Sequence, residues 1–356
     1  MLKASVPARN LTRPVNVGGV QIGGGAPVVV QSMTCTPTTD ADATLAQINA
    51  LVKAGCDIVR VSVPTAEAVE PFGRICSLSP VPIVADIHFD YRLAIAAVEH
   101  GASKLRINPG NIGSLDRVDA VIDAAGQAGA AIRIGVNAGS LDKDIASRED
   151  LTQVDKLVAS SMQFVDHFET RGFTDIVLSA KAHSVSTTLE TYRRLSSELP
   201  QIPLHLGVTE AGGIQQGTIK SSIALGALLA EGIGDTMRVS LTADPVEEVP
   251  VAWGILSALE LRRRGPEIVS CPTCARCQVD LIEIADEVTR RLASCTKPIT
   301  VAVMGCVVNG PGEASDADVG VACGRGSALL FRHGEVVRKV DESQIVDALI
   351  EEAEAL

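Results

Sequence analysis

Short apolar runs that end in polar residues alternate with Ala/Leu-rich stretches of helical spacing along the first 245 residues. The runs are 27–34 (PVVVQSMT), 58–64 (IVRVSVP), 82–89 (PIVADIHF), 104–111 (KLRINPGN), 131–140 (AIRIGVNAGS), 175–183 (DIVLSAKAH), 203–211 (PLHLGVTEA) and 236–244 (TMRVSLTAD). Several of the intervening helical stretches close on glycine, the residue best suited to a left-handed C-cap. Strands that alternate with helices predict a parallel sheet. Eight such units predict an α/β fold of the (β/α)8 TIM-barrel type. A doubly wound sheet is the alternative, but it rarely needs eight units. The glycine-rich segment 15–27 (VNVGGVQIGGGAP) predicts a hairpin that caps the barrel floor.

Residues 245–265 read as the last barrel helix, and Pro266 marks a boundary. This divides the chain into a barrel domain, 1–265, and a small α/β domain, 266–356. The second part holds a cysteine cluster and a helix over 279–294. Strands follow near 299–305, 318–323, 327–332 and 335–340, and an acidic helix over 343–355 ends the chain.

The net charge of −12 argues against general binding to nucleic acid or anionic membranes. Aromatic residues make up 3% of the chain, too few for base-stacking platforms. No N-terminal apolar run of signal length and no uncharged apolar run of roughly 18 residues is seen, so a soluble, cytoplasmic protein is expected. In that compartment the nine cysteines favour metal or redox chemistry over structural bridges.

The predicted strands carry an unusual set of polar residues. Arg106 and Asn108 are two apart and share a strand face, as do Arg133 and Asn137, and Arg238, Ser240 and Thr242. Leu105, Ile107, Ile134, Val136, Val239 and Leu241 take the opposite face, suited to the helix layer. Arg60, Asp86, His88, Lys181, His205 and Glu210 stand in equivalent places. The polar set therefore points into the barrel or to its C-terminal mouth. A lone strand arginine is more often a structural ion-pair partner. Five cations in analogous places (Arg60, Arg106, Arg133, Lys181, Arg238) with few carboxylates argue instead for a polyanionic, phosphate-bearing ligand. No Gly-Lys pair occurs, which excludes a Walker motif, and no G-x-G-x-x-G follows a strand. His100, His167 and His333 read as surface residues.

Cys271, Cys274 and Cys277 resemble the opening of a ferredoxin-type run, without its closing cysteine and proline. A zinc ribbon needs a second C-x-x-C, which is missing. The nearest distant thiol is Cys306, followed by an NGPG turn and Glu313. Two cysteines from one loop, one from another and a non-sulfur fourth ligand suit a [4Fe–4S] cluster with one weakly held iron. Cys35, Cys56, Cys76, Cys295 and Cys323 are expected to pack as small hydrophobes.

The segments 9–34 (RNLTRPVNVGGVQIGGGAPVVVQSMT), 85–90 (ADIHFD), 104–111 (KLRINPGN), 135–140 (GVNAGS), 205–213 (HLGVTEAGG) and 304–314 (MGCVVNGPGEA) are together highly specific. With them the chain resembles, over nearly its whole length, the two-domain bacterial 4-hydroxy-3-methylbut-2-enyl diphosphate synthases. These are iron–sulfur enzymes of the methylerythritol phosphate route to isoprenoids. The resemblance implies cluster ligands Cys271, Cys274, Cys306 and Glu313, and leaves Cys277 without a required role. It implies a substrate pocket drawing on Arg60, Asp86, Arg106, Asn108, Arg133, Asn137, Lys181, Glu210, Arg238 and Ser240; Glu210, at the end of the seventh strand, is the candidate acid–base residue. The implied reaction is reductive ring opening of 2-C-methyl-D-erythritol 2,4-cyclodiphosphate, with flavodoxin or ferredoxin as electron donor. Two other classes remain: a pterin- or sugar-phosphate-binding barrel transferase with a structural metal domain, and a cluster-bearing redox sensor. A helix over 245–264 would span roughly 30 Å and deliver the chain to the barrel floor, opposite the mouth. That predicts a head-to-tail homodimer with sites shared between chains.

Overall fold

A computed structural model describes residues 8–141, 143–308 and 310–356, without the side chain of Lys143. The chain divides into two compact units between Arg262 and Arg263.

In the first unit a hairpin of β1 (Val15–Val17) and β2 (Val20–Ile22) precedes eight strands. These are β3 (Val29–Met33), β4 (Ile58–Ser62), β5 (Ile83–Asp86), β6 (Lys104–Ile107), β7 (Ala131–Asn137), β8 (Ile176–Lys181), β9 (His205–Leu206) and β10 (Thr236–Met237). The helices are α1 (Ala41–Ala54), α2 (Val69–Leu78), α3 (Tyr91–Glu99), α4 (Pro109–Ile112), α5 (Leu115–Ala128), α6 (Lys143–Ala146), α7 (Gln153–Thr170), α8 (Val185–Glu198), α9 (Ile214–Ala230) and α10 (Glu248–Ala258). The eight strands are parallel, in the order β8-β7-β6-β5-β4-β3-β10-β9, and a bridge from Leu178 to Leu204 joins β8 to the stretch leading into β9. The sheet is thus the closed barrel expected from eight repeated units.

Local chemistry sets the helix ends. Asp40 caps α1 by accepting from the Ala43 N–H, and Gly55 ends it at φ 109°, a conformation that favours glycine. Thr152 and Asp155 form a reciprocal capping box at the start of α7. The strands obey the period of two. Leu105, Ile107, Ile134 and Val136 are buried in the main apolar core. The first inward residues, Val29, Ile58, Val84, Ala131 and Val177, form a separate cluster with Val15, Val17 and Ile22 of the hairpin. The hairpin therefore plugs the floor, as its sequence predicts.

Two expectations for this unit need correction. The ladders of β9 and β10 are two residues each, so Arg238 to Thr242 lie beyond the strand rather than within it. The last helix is shorter than expected: a 3-10 turn at Pro245–Glu247 leads into α10, which ends at Ala258, and Glu260 is left-handed at φ 54°. At 11 residues α10 spans roughly 16 Å. Arg262 then donates to the Val28 carbonyl and to Asp57, which immediately precede β3 and β4. The chain therefore still leaves the barrel at its floor.

The second unit holds β11 (Glu267–Ser270), β12 (Thr300–Met304), β13 (Val319–Gly324), β14 (Ser327–Arg332) and β15 (Glu335–Asp341) in that spatial order. The first three are parallel, and the last two continue antiparallel. Helices α11 (Leu281–Leu292) and α13 (Ile345–Ala355) contribute to one apolar cluster with Val301, Val303, Val319 and Val321. Helix α12 (Gly310–Ser315) contributes to another with Ala302, Met304 and Ala322. A side chain at Gly320 would press to 2.9 Å on the Ala314 carbonyl, so glycine is what lets α12 lie on the sheet. The edge strand β11 is not visible in the apolar pattern because it is short and largely exposed. The expected NGPG turn is also corrected: Gly310 to Gly312 open a helix, and Asn309 lies outside the described residues.

Candidate functional site

A cavity of about 410 Å³ opens within the barrel. It is lined by Met33, Arg60, Asp86, His88, Arg106, Asn111, Arg133, Asn137, Ser140, Ser179, Lys181, Thr209, Arg238 and Ser240. Most of these lie at or just beyond the C-terminal strand ends, where barrels of this kind carry their chemistry.

The cavity is crowded with positive charge around Asp86. Asp86 Oδ1 is 3.4 Å from Arg106 Nη1, and its Oδ2 is 4.0 Å from Arg60 Nε and 3.6 Å from His88 Nε2. Burial disfavours its charge, but Arg60, Arg106, His88 and Arg133 outweigh that and hold the carboxyl below its ordinary range. Arg238 donates through Nε and Nη2 to Glu248 of α10, both at 3.0 Å. Glu248 also accepts from Ser32 Oγ at 2.8 Å and from the Leu241 N–H at 3.2 Å, so it fixes both Arg238 and the loop after it. Arg60 donates to the Met33 thioether at 3.0 and 2.7 Å, an acceptor weaker than any carboxylate. Asn137, in the orientation that satisfies both amide atoms, accepts from Arg106 Nη2 at 2.9 Å.

Deeper in the barrel several polar atoms have no hydrogen-bond partner among the described residues. Arg133 is 1% exposed, with Nε and Nη2 unbonded. Lys104 is fully buried, and its Nζ makes no hydrogen bond. Gln31 and His205 Nε2 are likewise unpartnered. Burial, and then neighbouring guanidinium charge, pushes Lys104 and Lys181 well below the ordinary lysine value. Burial pushes Arg60 down to about 10, against the pull of Asp86. Two glycines make the crowding possible. A side chain on Gly135 would stand 2.6 Å from Arg106 Nε, and one on Gly207 would stand 2.5 Å from Lys181 Nζ. Such a concentration of unpartnered basic groups inside a protein is suited in its chemistry to an anionic ligand.

Eight of the expected pocket residues line this cavity: Arg60, Asp86, Arg106, Arg133, Asn137, Lys181, Arg238 and Ser240. Asn108 does not. Its amide nitrogen donates to the Ser140 carbonyl at 2.7 Å and to Ser140 Oγ at 3.0 Å, while its oxygen caps α4 at the Gly110 N–H. It holds the loop from which Ser140 reaches the cavity. Glu210 is exposed and left-handed at φ 54°, one residue past the cavity-lining Thr209. Met33, Asn111, Ser140, Ser179, Thr209, Lys104 and Glu248 escaped the sequence reading. Ser179 was within reach, being two residues before Lys181; Glu248 carries no signal, since an acidic residue at a helix start is ordinary. His333 is exposed as expected, but His100 and His167 are partly buried beside Glu70 and Asp119.

In the second unit the thiol-bearing loops meet at Gly305. Cys271 follows β11, and its Sγ accepts from the Gly305 N–H at 3.3 Å. The Gln278 N–H donates to the Gly305 carbonyl at 3.0 Å, and Cys306 is buried next in sequence. Cys277 donates to the Val279 carbonyl at 3.3 Å and packs where a side chain on Gly305 would collide with it. Cys274 is exposed, and the backbone N–H and side chain of Arg276 hold its thiol below the ordinary value. Glu313 is exposed on α12. Thiols on loops at one end of a sheet, one of them acidified, and a carboxylate on the helix that follows fit a thiolate-held metal group in kind. Their side chains do not converge, however: among the described residues no three of His, Cys, Asp or Glu stand close enough to hold a metal ion. Of the other cysteines, Cys56 and Cys323 are buried and Cys76 and Cys295 half-buried, whereas Cys35 is exposed, contrary to expectation, and accepts a bond from Gln47.

Comparison with known proteins gives a consistent result. Residues 12–253 match the GcpE TIM-barrel domain, and residues 267–355 match the GcpE protein C-terminal domain. The chain is 54% identical to the 4-hydroxy-3-methylbut-2-en-1-yl diphosphate synthase (flavodoxin) of Geobacter sulfurreducens, over 97% of this chain and 98% of that one. It is 52% identical to the protein of the same name from Clostridium perfringens, over 98% and 99% of the two chains. Among solved structures, a dihydropteroate synthase from Coxiella burnetii superimposes with a TM-score of 0.50 at 11% identity, over 70% of this chain and 98% of that one, a likeness of fold alone. No helix among the described residues is long and apolar enough to cross a membrane. With both units matched and half of all positions identical to these relatives, the chain belongs to the GcpE family.

Proposed function

We propose that this chain is a cytoplasmic 4-hydroxy-3-methylbut-2-enyl diphosphate synthase that opens 2-C-methyl-D-erythritol 2,4-cyclodiphosphate reductively, with flavodoxin or ferredoxin as electron donor. The observation that carries the reading is the barrel cavity, in which Arg60, Arg106, Arg133, Lys181 and Arg238 surround a space of about 410 Å³ with Asp86 among them. In the reaction two electrons and two protons enter, the ring C–O bond to phosphate breaks, and one hydroxyl leaves as water. A [4Fe–4S] cluster held by Cys271, Cys274, Cys306 and Glu313 would supply the electrons one at a time.

The barrel residues have separable tasks. The guanidiniums of Arg60, Arg106 and Arg238 bind the diphosphate and stabilise the phosphate oxygen freed by ring opening. Glu248 keeps Arg238 aimed while neutralising part of its charge. Ser240 and Asn137 add neutral polar groups at the rim, and Asn108 acts through Ser140. Glu210 is proposed as the proton donor to the leaving hydroxyl. Its left-handed backbone, rare for glutamate, supports a functional constraint there.

The proposed working unit is a head-to-tail homodimer in which one chain's cysteine loops serve its partner's cavity. It is supported by the departure of the chain from the barrel at the floor, where Arg262 binds Asp57. Anaerobic turnover of the cyclodiphosphate with reduced flavodoxin tests the activity. A protein with bound zinc, no iron or sulfide, and no turnover would overturn the reading in favour of a barrel transferase. Mixing Arg106→Ala and Cys306→Ser chains tests the dimer. Activity returns if sites are shared, and a mixture that stays inactive after proven chain exchange overturns the sharing.

A further inference from the structure

The cavity holds more basic groups than its anions can balance, and only some of those groups are able to give up charge. Arg60, Arg106, Arg133 and Arg238 stay protonated under any working condition, because guanidinium does not deprotonate in proteins. The crowding must therefore be relieved at the lysines. Lys181 is 8% exposed on β8, lines the cavity, and abuts the bare backbone of Gly207. Among the described residues no carboxylate bonds it. Facing it are Arg133 and Asn137 from β7, Arg60 from β4, Arg106 from β6 and Arg238 after β10, while Lys104 of β6 acts on Arg133, Arg60 and His205. Asp86 and His88 stand on the wall around β5, His205 lies on β9, and Tyr192 of α8 bonds the backbone of β8 from the helix layer. Asp86 is already engaged by Arg60 and Arg106, and Glu248 by Arg238.

We propose that the barrel takes up a proton from solution when its anionic ligand binds, and that Lys181 is the group that accepts it. The inference rests on the proposed reading of the cavity as a cyclic diphosphate site. A dianion placed among these side chains changes the sign of the local field. Burial and guanidinium repulsion disfavour the ammonium form in the free protein, as the downward displacement of Lys181 indicates. The ligand supplies the missing counter-charge and restores it. Binding and protonation are then linked, and each favours the other. The arrangement lets the free barrel avoid one buried charge that the loaded barrel can use. It also makes affinity fall as pH rises, by up to about tenfold per pH unit for one proton, between the displaced and the restored lysine values.

The ligand's own chemistry makes this measurable. In a cyclic diphosphate each phosphorus carries a single, strongly acidic hydroxyl, so the ligand is fully ionised near neutrality and releases or takes up no proton itself. Isothermal titration of the full-length, anaerobically purified protein with the cyclodiphosphate, near pH 8 and without reductant, is run in buffers of different ionisation heat. The expected result is a binding heat that varies with the buffer and reports uptake of up to about one proton. Lys181→Met should bind more weakly, with heat independent of the buffer, and His88→Gln should keep the uptake. Binding without buffer dependence in the parent protein overturns the proposal, as does loss of uptake in His88→Gln or undiminished uptake in Lys181→Met. Should Lys181→Met fail to bind, parent and His88→Gln decide between the lysine and the cavity imidazole. An absence of any binding to the parent protein refutes instead the diphosphate reading itself.

Discussion

Gly135 sits mid-strand on β7, where an alanine would ordinarily be harmless or helpful. Its φ is not left-handed, so Gly135→Ala introduces no backbone strain. The entire penalty comes from the new methyl group, which would stand 2.6 Å from Arg106 Nε and 3.1 Å from both Cζ and Nη2. Ordinary contact is about 3.5 Å or more, so the guanidinium must retreat by roughly 1 Å. Arg106 cannot do so without loosening its contacts to Asp86 at 3.4 Å and Asn137 at 2.9 Å. Overpacking of this kind costs about 1–3 kcal/mol of stability. If Arg106 orients the diphosphate as proposed, a displacement of ~1 Å costs on the order of 10²-fold in kcat/KM, or about 2.7 kcal/mol of transition-state binding. Steady-state turnover of the cyclodiphosphate under anaerobic conditions, with thermal melting alongside, reads both effects. The double variant Gly135→Ala/Arg106→Ala should be no less active than Arg106→Ala alone, because the methyl group then has nothing to displace. A Gly135→Ala protein with kcat/KM within about twofold of the parent would refute both the assigned orientation of Arg106 and its part in the reaction.

Gly207→Ala should be the more destabilising of the two glycine variants, since its methyl group would meet Lys181 Nζ at 2.5 Å and the immovable Arg238 carbonyl at 3.0 Å; a melting temperature equal to the parent's would contradict this. Asp86 has a carboxyl held below its ordinary value, so it adds stability at pH above the unfolded value and loses it as pH falls through the lower folded one. Below about pH 4 the parent's melting temperature should therefore drop more steeply than that of Asp86→Asn, and parallel curves would argue against it. Serine at Cys271, Cys274 or Cys306 should abolish iron binding, while Cys277→Ser should retain it, because that thiol is engaged with the Val279 carbonyl; iron analysis after anaerobic purification decides. Glu313→Cys should hold iron more tightly yet turn over poorly, and a normal rate together with an unchanged substrate response in the EPR spectrum would count against Glu313 as a ligand. Ile22→Ala should cost about 2–5 kcal/mol in urea melts, because Ile22 is fully buried in the floor plug.

What the sequence disclosed follows from the range of the forces involved. The barrel strands were legible because each is a compact apolar run, and the inward polar residues because they repeat at a spacing of two within it. Lys104 stayed hidden: a lysine at the start of a strand normally marks the solvent edge, and only closure of the barrel turns that position inward. Glu248 and Met33 were invisible for a similar reason, since their partners Arg238 and Arg60 are distant in sequence and the contacts exist only once the ring is formed. Strand periodicity puts Asn108 on the face of Arg106, but the turn into α4 directs its amide to a loop, a local capping effect that periodicity ignores. In the second unit the cysteine spacing led to two loops that the fold brings together at Gly305. The helical form of 310–315 was masked by its Gly-Pro-Gly sequence, which reads as a turn until packing against Gly320 stabilises a helix there.

The position of the binding charge in the strands, rather than in the loops above them, bears on how this chain can evolve. Most barrels of this type acquire new ligands by exchanging loops over an inert apolar core. Here Arg60, Arg106, Arg133 and Lys181 belong to the staves of the barrel themselves. A mutation that removes one of them alters recognition and core together, and an apolar replacement at Arg133 or Lys104 would relieve buried charge and tend to stabilise the free protein. Drift toward stability and retention of the ligand therefore pull these positions in opposite directions. On the proposed reading the barrel is an anion receptor by construction, and loop variation alone would leave it one.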